Sequence, residues 1–145
     1  MSTHINPACT ADIIVEYGGK LVFVERSHEP FKGYLAFPGG FLETGKESIE
    51  QTAARELMEE TGLEVKPEDL ALVCVKSKPN RDPRGHVIAH IYYAKKVSGQ
   101  PKAGDDAANI KLLTVAEALN ANLAFDHTEI LTEYLEKNRT SLKTK

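Results

Sequence analysis

Two apolar, β-rich runs open the chain, at residues 11 to 17 and 20 to 26, and Gly18-Gly19 between them has the chemistry of a two-residue hairpin turn. A loop containing Pro30 and Gly33 follows. The period then changes from two to that of a helix. Ser48 with Gln51 three residues on is a capping box, and Gly62 suits the position just past a helix end, so the pattern predicts a helix over Ile49 to Thr61. Leu70 to Ser77 is a further strand. Val87 to Val97 is a longer one, with Val87, Ala89, Ile91 and Tyr93 on one face and His90 and Tyr92 on the other. Residues 78 to 86 between them form an exposed loop. Ile110 to Leu113 is a short strand, and Thr114 with Glu117 caps a short helix through about Ala121. Asp126 with Glu129 caps a last helix, whose buried stripe is Ile130, Leu131, Tyr134 and Leu135. Helices alternating with strands predict an α/β chain built on a mixed sheet.

Composition narrows the class. A chain of 145 residues suits one core, and no repeat, low-complexity tract or linker divides it, so residues 1 to 145 read as a single domain. The net charge of −3 and pI near 6.0 supply no broad basic surface, which argues against a nucleic-acid partner. Met1 to Thr10 lacks the apolar run of a signal peptide, and no stretch approaches a membrane span, so a cytoplasmic protein with no membrane partner is the expectation. Cys9 and Cys74 are too few and too far apart for a disulfide framework or a zinc site; Cys74 reads as a reduced core thiol and Cys9 as part of the terminus.

The chemistry concentrates at residues 38 to 63. On a helix, Glu56, Glu59 and Glu60 fall within a sector of roughly 100°, with Arg55 at its border and Ala54, Leu57, Met58 and Thr61 on the far side. Carboxylates at i, i+3 and i+4 repel by a few tenths of a kcal/mol per pair, about 0.2 to 0.5, so the cluster calls for positive charge. Arg55 supplies part of it. Oxygen-loving cations such as Mg²⁺ or Mn²⁺ would supply the rest, against the plain alternative of a solvated acidic face. Upstream, Gly39 and Gly40 form a turn whose lack of Cβ and tolerance of positive φ let backbone approach a ligand, and a carbonyl of either could join the carboxylates. Glu47 sits just before the helix, placed to face the metal or to pair with Arg55.

At these residues the sequence resembles the Nudix hydrolase family. Its signature runs glycine, five residues, Glu, seven residues, then Arg-Glu-aliphatic-x-Glu-Glu-x-Gly-aliphatic. Glu47, Arg55, Glu56, Leu57, Glu59, Glu60, Gly62 and Leu63 match in type and spacing. Six residues rather than five separate Gly40 from Glu47, with Lys46 the extra one, which leaves the helix register intact and the placement of Glu47 open. The resemblance implies an α/β/α sandwich around a central mixed sheet. It also implies metal held by Glu56, Glu59, Glu60 and the Gly39 or Gly40 carbonyl, with Arg55 orienting the glutamates and Glu47 holding Arg55. Residues 29 to 34, 80 to 86 and 102 to 107 look like stretches of the ADP-ribose pyrophosphatases of that family. The implied reaction is attack of water on one phosphorus of ADP-ribose, giving AMP and ribose 5-phosphate. Another nucleotide substrate, such as a nucleoside diphosphate sugar, NADH or an oxidised nucleoside triphosphate, is the alternative, as is a non-catalytic ADP-ribose sensor. Homodimers are common among such enzymes.

Smaller constellations have two readings each. Arg81 and Arg84 clamp phosphate or solubilise a loop, and Asp82 pairs with an arginine or touches ligand. His86 reaches substrate or is a surface histidine. Asp105 and Asp106 supply a metal ligand or the general base, for which Asp106 is the candidate, or they make a turn. Phe31, Tyr34 and Phe37 stack on a base or pack in the core, with Phe31 and Tyr34 the candidates for the substrate side. His4, His28, His90 and His127 show no metal-ligand spacing and carry no assignment.

Overall fold

The computed structural model describes residues 4 to 102 and 109 to 143. Five strands come first: β1 Ala8–Ile14, β2 Glu16–Tyr17, β3 Lys20–Glu25, β4 Leu35–Ala36 and β5 Gly39–Phe41. Helix α1 follows at Ile49–Thr61, then a 3₁₀ turn at Pro67–Asp69, β6 Leu70–Lys76, β7 Val87–Ala94, β8 Ile110–Leu113, α2 Val115–Leu119 and α3 His127–Lys143. One sheet has the order β5-β1-β7-β6 and is mixed, since β1 and β7 run parallel while β1/β5 and β6/β7 are antiparallel. The other is antiparallel around β3, which pairs β8 along one side and β2 and β4 along the other.

Burial explains why the opening hairpin is shorter than its sequence predicts. Only Glu16-Tyr17 pairs with Lys20-Leu21 across Gly18-Gly19. The ladder ends at Val15, whose carbonyl accepts the Val22 N–H at 3.0 Å, because β1 before it is apolar on both faces: Ala11 and Ile13 pack in one cluster and Ile14 in the other. A strand buried on both faces belongs inside a sheet, and β1 sits between β5 and β7. It starts at Ala8, so Cys9 lies in the ladder rather than in a loose terminus, and its carbonyl accepts the Leu42 N–H at 2.9 Å. β7 is central too. It ends at Ala94, short of Val97, and buries Ala89 and Ile91 against one cluster and Tyr92 and Ala94 against the other.

The two clusters define the layers. In one, Ala53 and Leu57 of α1, with Leu63 and Val65 just beyond it, meet Ala11, Ile13, Val22 and Tyr92. In the other, Ile130, Leu131 and Tyr134 of α3 meet Ile14, Phe23, Phe37 and Ile91. Helices thus cover both sides of the sheet core, as a sandwich requires. Each fully buried aliphatic residue contributes roughly 1.5–3 kcal/mol. Helix α1 has the bounds its sequence predicts: both arms of the Ser48/Gln51 capping box form, and Gly62, at φ 83°, donates its N–H to the Met58 carbonyl. Its buried stripe is Thr52, Ala53, Leu57 and Thr61, whereas Met58 is exposed, so the core lies slightly around the helix from the predicted side. The Thr114/Glu117 box also forms, over a helix that stops at Leu119. Asp126 precedes α3 as expected, yet both its carboxylate oxygens are taken by Arg81, at 2.9 and 2.5 Å.

Gly39 and Gly40 form a strand, not a turn. Their registers are Asp12↔Gly39 and Ala11↔Gly40. Neither has positive φ; what matters is close approach. A Cβ on Gly39 would lie 2.3 Å from the Ala11 carbonyl oxygen, and one on Gly40 would lie 2.4 Å from Cδ of Glu56. Overpacking costs typically 1–3 kcal/mol. Gly39→Ala, which strikes backbone, is therefore expected to cost about 2 kcal/mol or more. Gly40→Ala needs only a side chain to swing aside and is expected to cost less than half of that in urea unfolding. Equal losses would contradict this account of the two glycines.

Candidate active site

Arg55 is the hub of the site's charge. From the middle of α1 it reaches back to Glu47, with Nε to Oε1 and Nη2 to Oε2 both 2.9 Å, and forward to Glu56, with Nη1 to Oε1 2.7 Å. It also donates to the Phe41 carbonyl at 3.2 Å and pairs with Glu59 at 3.3 Å. Thr52 Oγ1 adds a 2.6 Å bond to Glu47, and the Glu43 N–H another at 3.1 Å. The longer loop before Glu47 therefore does not separate it from Arg55. The hydrogen bond from Arg55, with that from Thr52, pulls the Glu47 carboxyl down to about 2, and Glu47 in turn raises Arg55.

Glu56 and Glu60 point from α1 onto β5. The ladder bonds Ile13 N–H to the Pro38 carbonyl and Leu42 N–H to the Cys9 carbonyl, so the intervening residue Gly39 turns its own N–H and C=O away from β1. That N–H meets Glu60 Oε1 at 2.9 Å, leaving the Gly39 carbonyl on the same open edge. Gly40 faces Glu56 and is bonded within the ladder. Burial raises the Glu56 carboxyl, and burial raises Glu60 to about 8 even against the Gly39 N–H. The charge of Glu56 raises Glu60 further, so the pair resists carrying two negative charges together. Among the described residues no three acidic, histidine or cysteine side chains already form a ligand shell. A hard divalent cation nevertheless fits this donor set: two carboxylates and one carbonyl, all oxygen, short of positive charge and partly withdrawn from water. Glu59 stands apart, its side chain 56% exposed beside Arg55 and outside the cavity that Glu56 and Glu60 line.

That cavity, of about 400 Å³, extends from Glu56 and Glu60 past Asp12 and His127 to Arg81, Arg84, Phe41 and Phe125. Both predicted arginines reach it, each already held by a carboxylate. Arg81 forms the two bonds to Asp126, and Arg84 bonds both oxygens of Asp82 at 3.1 and 2.8 Å. The Arg84 guanidinium also lies over Phe41 and Phe125, 4.8 and 5.2 Å from their ring centres. Phe125 holds φ 52°, a left-handed conformation costing on the order of 1 kcal/mol for a residue with a side chain, and so presents its ring to the cavity. Phe31 packs behind that ring at 4.8 Å, with Tyr34 beside Phe31; neither lines the cavity. Phe37 does line it, stacked on Phe23. His86 bonds the Ser77 carbonyl at 2.9 Å across the β6–β7 loop, away from the site. Asp105 and Asp106 lie outside the described residues.

A second cleft, of about 350 Å³, adjoins the first through Val24, Arg26 and Glu60. Its other lining is polar: Ser27, His28, Glu59, Lys102 and Asn109 among them. Arg26 stands at the junction with Nε on the Pro30 carbonyl at 2.6 Å. Burial lowers its pKa, and the neighbouring Arg84 cation lowers it further, so an anion at this point is favoured.

Arg26, Asp12, Phe41, Phe125, Asp126 and His127 belong to the site without having been assigned from sequence. Asp12 carried a signal, a lone carboxylate inside an apolar strand run, and burial now raises it to about 7. Phe125 and His127 carried none, since nothing local marks a loop residue that will face a distant strand.

Comparison with known proteins bears on this geometry. The model of the NUDIX domain matches residues 7–134. The chain is 41% identical over 132 residues to an ADP-ribose pyrophosphatase of Methanocaldococcus jannaschii, covering 91% of this chain and 75% of that one. It is 29% identical over 136 residues to an ADPR-responsive transcriptional repressor of Acinetobacter baylyi, covering 90% of this chain but only 54% of the repressor. The NUDIX domain of Shewanella oneidensis NrtR, solved with ADP ribose, superposes with a TM-score of 0.75 at 29% identity, over 92% of this chain and 90% of that one. With the Glu47–Arg55 pair, the α1 carboxylates on β5 and a domain-wide match, the chain belongs to the NUDIX domain family.

Proposed function

We propose that the protein hydrolyses the diphosphate of ADP-ribose to AMP and ribose 5-phosphate, with Mg²⁺ as the cation and Mn²⁺ able to replace it. One observation carries the reading. A pair of half-buried carboxyls on α1, Glu56 and Glu60, both raised by burial, sits where an aromatic cavity and a polar cleft meet. A nucleoside diphosphate sugar has the same layout: a planar base, a charged bridge and a hydroxyl-rich end. The identity to an ADP-ribose pyrophosphatase supports ADP-ribose as the particular compound. A cytoplasmic homodimer is part of the same reading.

In this reading Glu56, Glu60 and the Gly39 carbonyl hold the cation, with Glu59 at its exposed margin. Bound there, a divalent cation supplies charge that offsets the diphosphate and makes water a better nucleophile. Arg55 holds Glu56 in place and is itself held by Glu47, so neither needs to touch substrate. Arg26 faces the bridge, and Arg84 exchanges Asp82 for a phosphate oxygen as the base enters between Phe41 and Phe125. Arg81 stays with Asp126. Asp106 remains a candidate for accepting the proton of the attacking water, with Glu59 and Glu60 the alternatives on α1.

The direct test is AMP release from ADP-ribose with Mg²⁺, beside GDP-mannose, NADH and 8-oxo-dGTP, with EDTA as control. EDTA-sensitive cleavage with ADP-ribose fastest is the expected result. Preference for another compound overturns the substrate, and binding without cleavage favours the sensor reading that the repressor relative suggests. Glu60→Gln removes a ligand charge without changing volume and is expected to cut turnover at least a hundredfold with circular dichroism unchanged; near-normal turnover would take Glu60 out of the cation site.

The buried carboxyls also set a pH dependence. Asp12 and Glu60 rise from ordinary values of 3.8 and 4.5 to about 7 and about 8. A raised carboxyl stabilises the fold below its unfolded pKa, and that stabilisation is lost as pH climbs through the folded value. His127, lowered to about 4 by burial, acts oppositely but only below about 6.5. Between pH 6.5 and 8.5 the EDTA-treated protein is thus expected to lose melting temperature, and Mg²⁺ to restore more of it at pH 8.5 than at 6.5. A flat profile in EDTA would contradict the assignment.

The two arms separate by product binding. Phe125→Ala is expected to weaken AMP binding about tenfold while leaving ribose 5-phosphate unchanged, and Asn109→Ala with Ser27→Ala to do the reverse, in calorimetric titrations. The opposite pattern would mean that the substrate lies in the other orientation.

A further inference from the structure

His127 is a deeply confined polar side chain beside the reaction centre. It is 3% exposed, at the first position of α3, with its ring against Phe37 and Phe125 at 5.3 and 5.7 Å between centres. Nδ1 accepts the Phe37 N–H at 3.1 Å across 90 residues of sequence. With that lone pair committed, the neutral ring carries its proton on Nε2, which faces Asp12 Oδ2 at 3.9 Å. Burial holds the ring neutral at ordinary pH.

The place of Phe37 gives the contact its meaning. Ala36 ends β4 in the antiparallel sheet and Gly39 begins β5 in the mixed one, so Phe37 and Pro38 are where the chain crosses between sheets. Pro38 has no N–H to give. The crossing is therefore held by two bonds, His127 on the Phe37 N–H and the Ile13 N–H on the Pro38 carbonyl at 2.9 Å. The next residue is Gly39, whose N–H holds Glu60.

We propose that His127 is a positioning residue: by accepting the Phe37 N–H it fixes the crossing from β4 to β5, and with it the placement of Gly39 against Glu60. Its effect on turnover rests on the metal-dependent hydrolase reading; the fixing itself does not. No other described side chain hydrogen-bonds the Phe37 N–H.

Two substitutions separate the acceptor from the ring. His127→Phe keeps an aromatic ring and removes the acceptor, whereas His127→Asn keeps an acceptor where Nδ1 was and removes the ring. Three readouts are taken on the full chain: amide hydrogen exchange of Phe37 and Gly39 without metal, Mn²⁺ affinity by electron paramagnetic resonance, and kcat against KM. In His127→Phe, faster exchange at both amides, about tenfold weaker Mn²⁺ binding and about tenfold lower kcat with KM within threefold are expected. His127→Asn is expected to recover most of each, even if it melts lower. Wild-type exchange, metal affinity and kcat in a folded His127→Phe protein would overturn the proposal. So would equal losses in both variants, which would assign His127 to ring packing. If the wild-type protein cleaves nothing in an EDTA-sensitive way, the hydrolase reading fails, and the exchange data alone decide whether His127 fixes the crossing.

Discussion

Helix α1 and strand β5 approach so closely that Glu56 occupies the space a side chain on Gly40 would need, and the site follows from that contact. The approach withdraws Glu56 and Glu60 from water, which raises both carboxyls. Keeping both ionised at neutral pH therefore costs the fold stability. Arg55 offsets part of this through Glu56, but it is already saturated by Glu47. The remaining deficit of positive charge is what makes a divalent cation a natural ligand.

The rest of the cleft is balanced differently. Arg81 and Arg84 are neutralised by Asp126 and Asp82, so the aromatic end can exist in water without anion. An arginine that already has a carboxylate gives up one good partner for another when phosphate arrives, so it contributes selectivity for geometry more than raw affinity. Arg26 is the exception. Its Nε is held by a backbone carbonyl rather than a carboxylate, and it stands where the two clefts join, so incoming anion meets less competition there.

How much of this was legible in the sequence depended on range. Helix α1 was readable to the residue because its caps, period and terminal glycine act within one or two turns. The carboxylate face followed from the same local spacing, whereas for Glu47 that spacing left two placements, facing the metal or pairing with Arg55, and only the fold decides for the pair. The Gly39-Gly40 segment has the sequence of a turn, since a strand that pairs for three residues leaves no periodic trace. Its glycines answer to crowding by Asp12 and Glu56, contacts that span the fold. Asp12 and His127 meet only because β1 and the start of α3 converge on β5, and no pattern within either segment announces that. The early hairpin was overextended for a related reason: residues 11 to 15 look alike whether they pair with the next strand or enter another sheet.

The central claim is that carboxylates on α1, pressed against β5, are the ligands of a divalent cation that the reaction needs. Titration of Mn²⁺ into metal-free protein, followed by electron paramagnetic resonance in the wild type and in Glu56→Gln, tests it most directly. The account predicts saturable binding in the wild type, weakened about 10- to 100-fold or more by the substitution. The same number of ions bound with the same affinity in both proteins would contradict it.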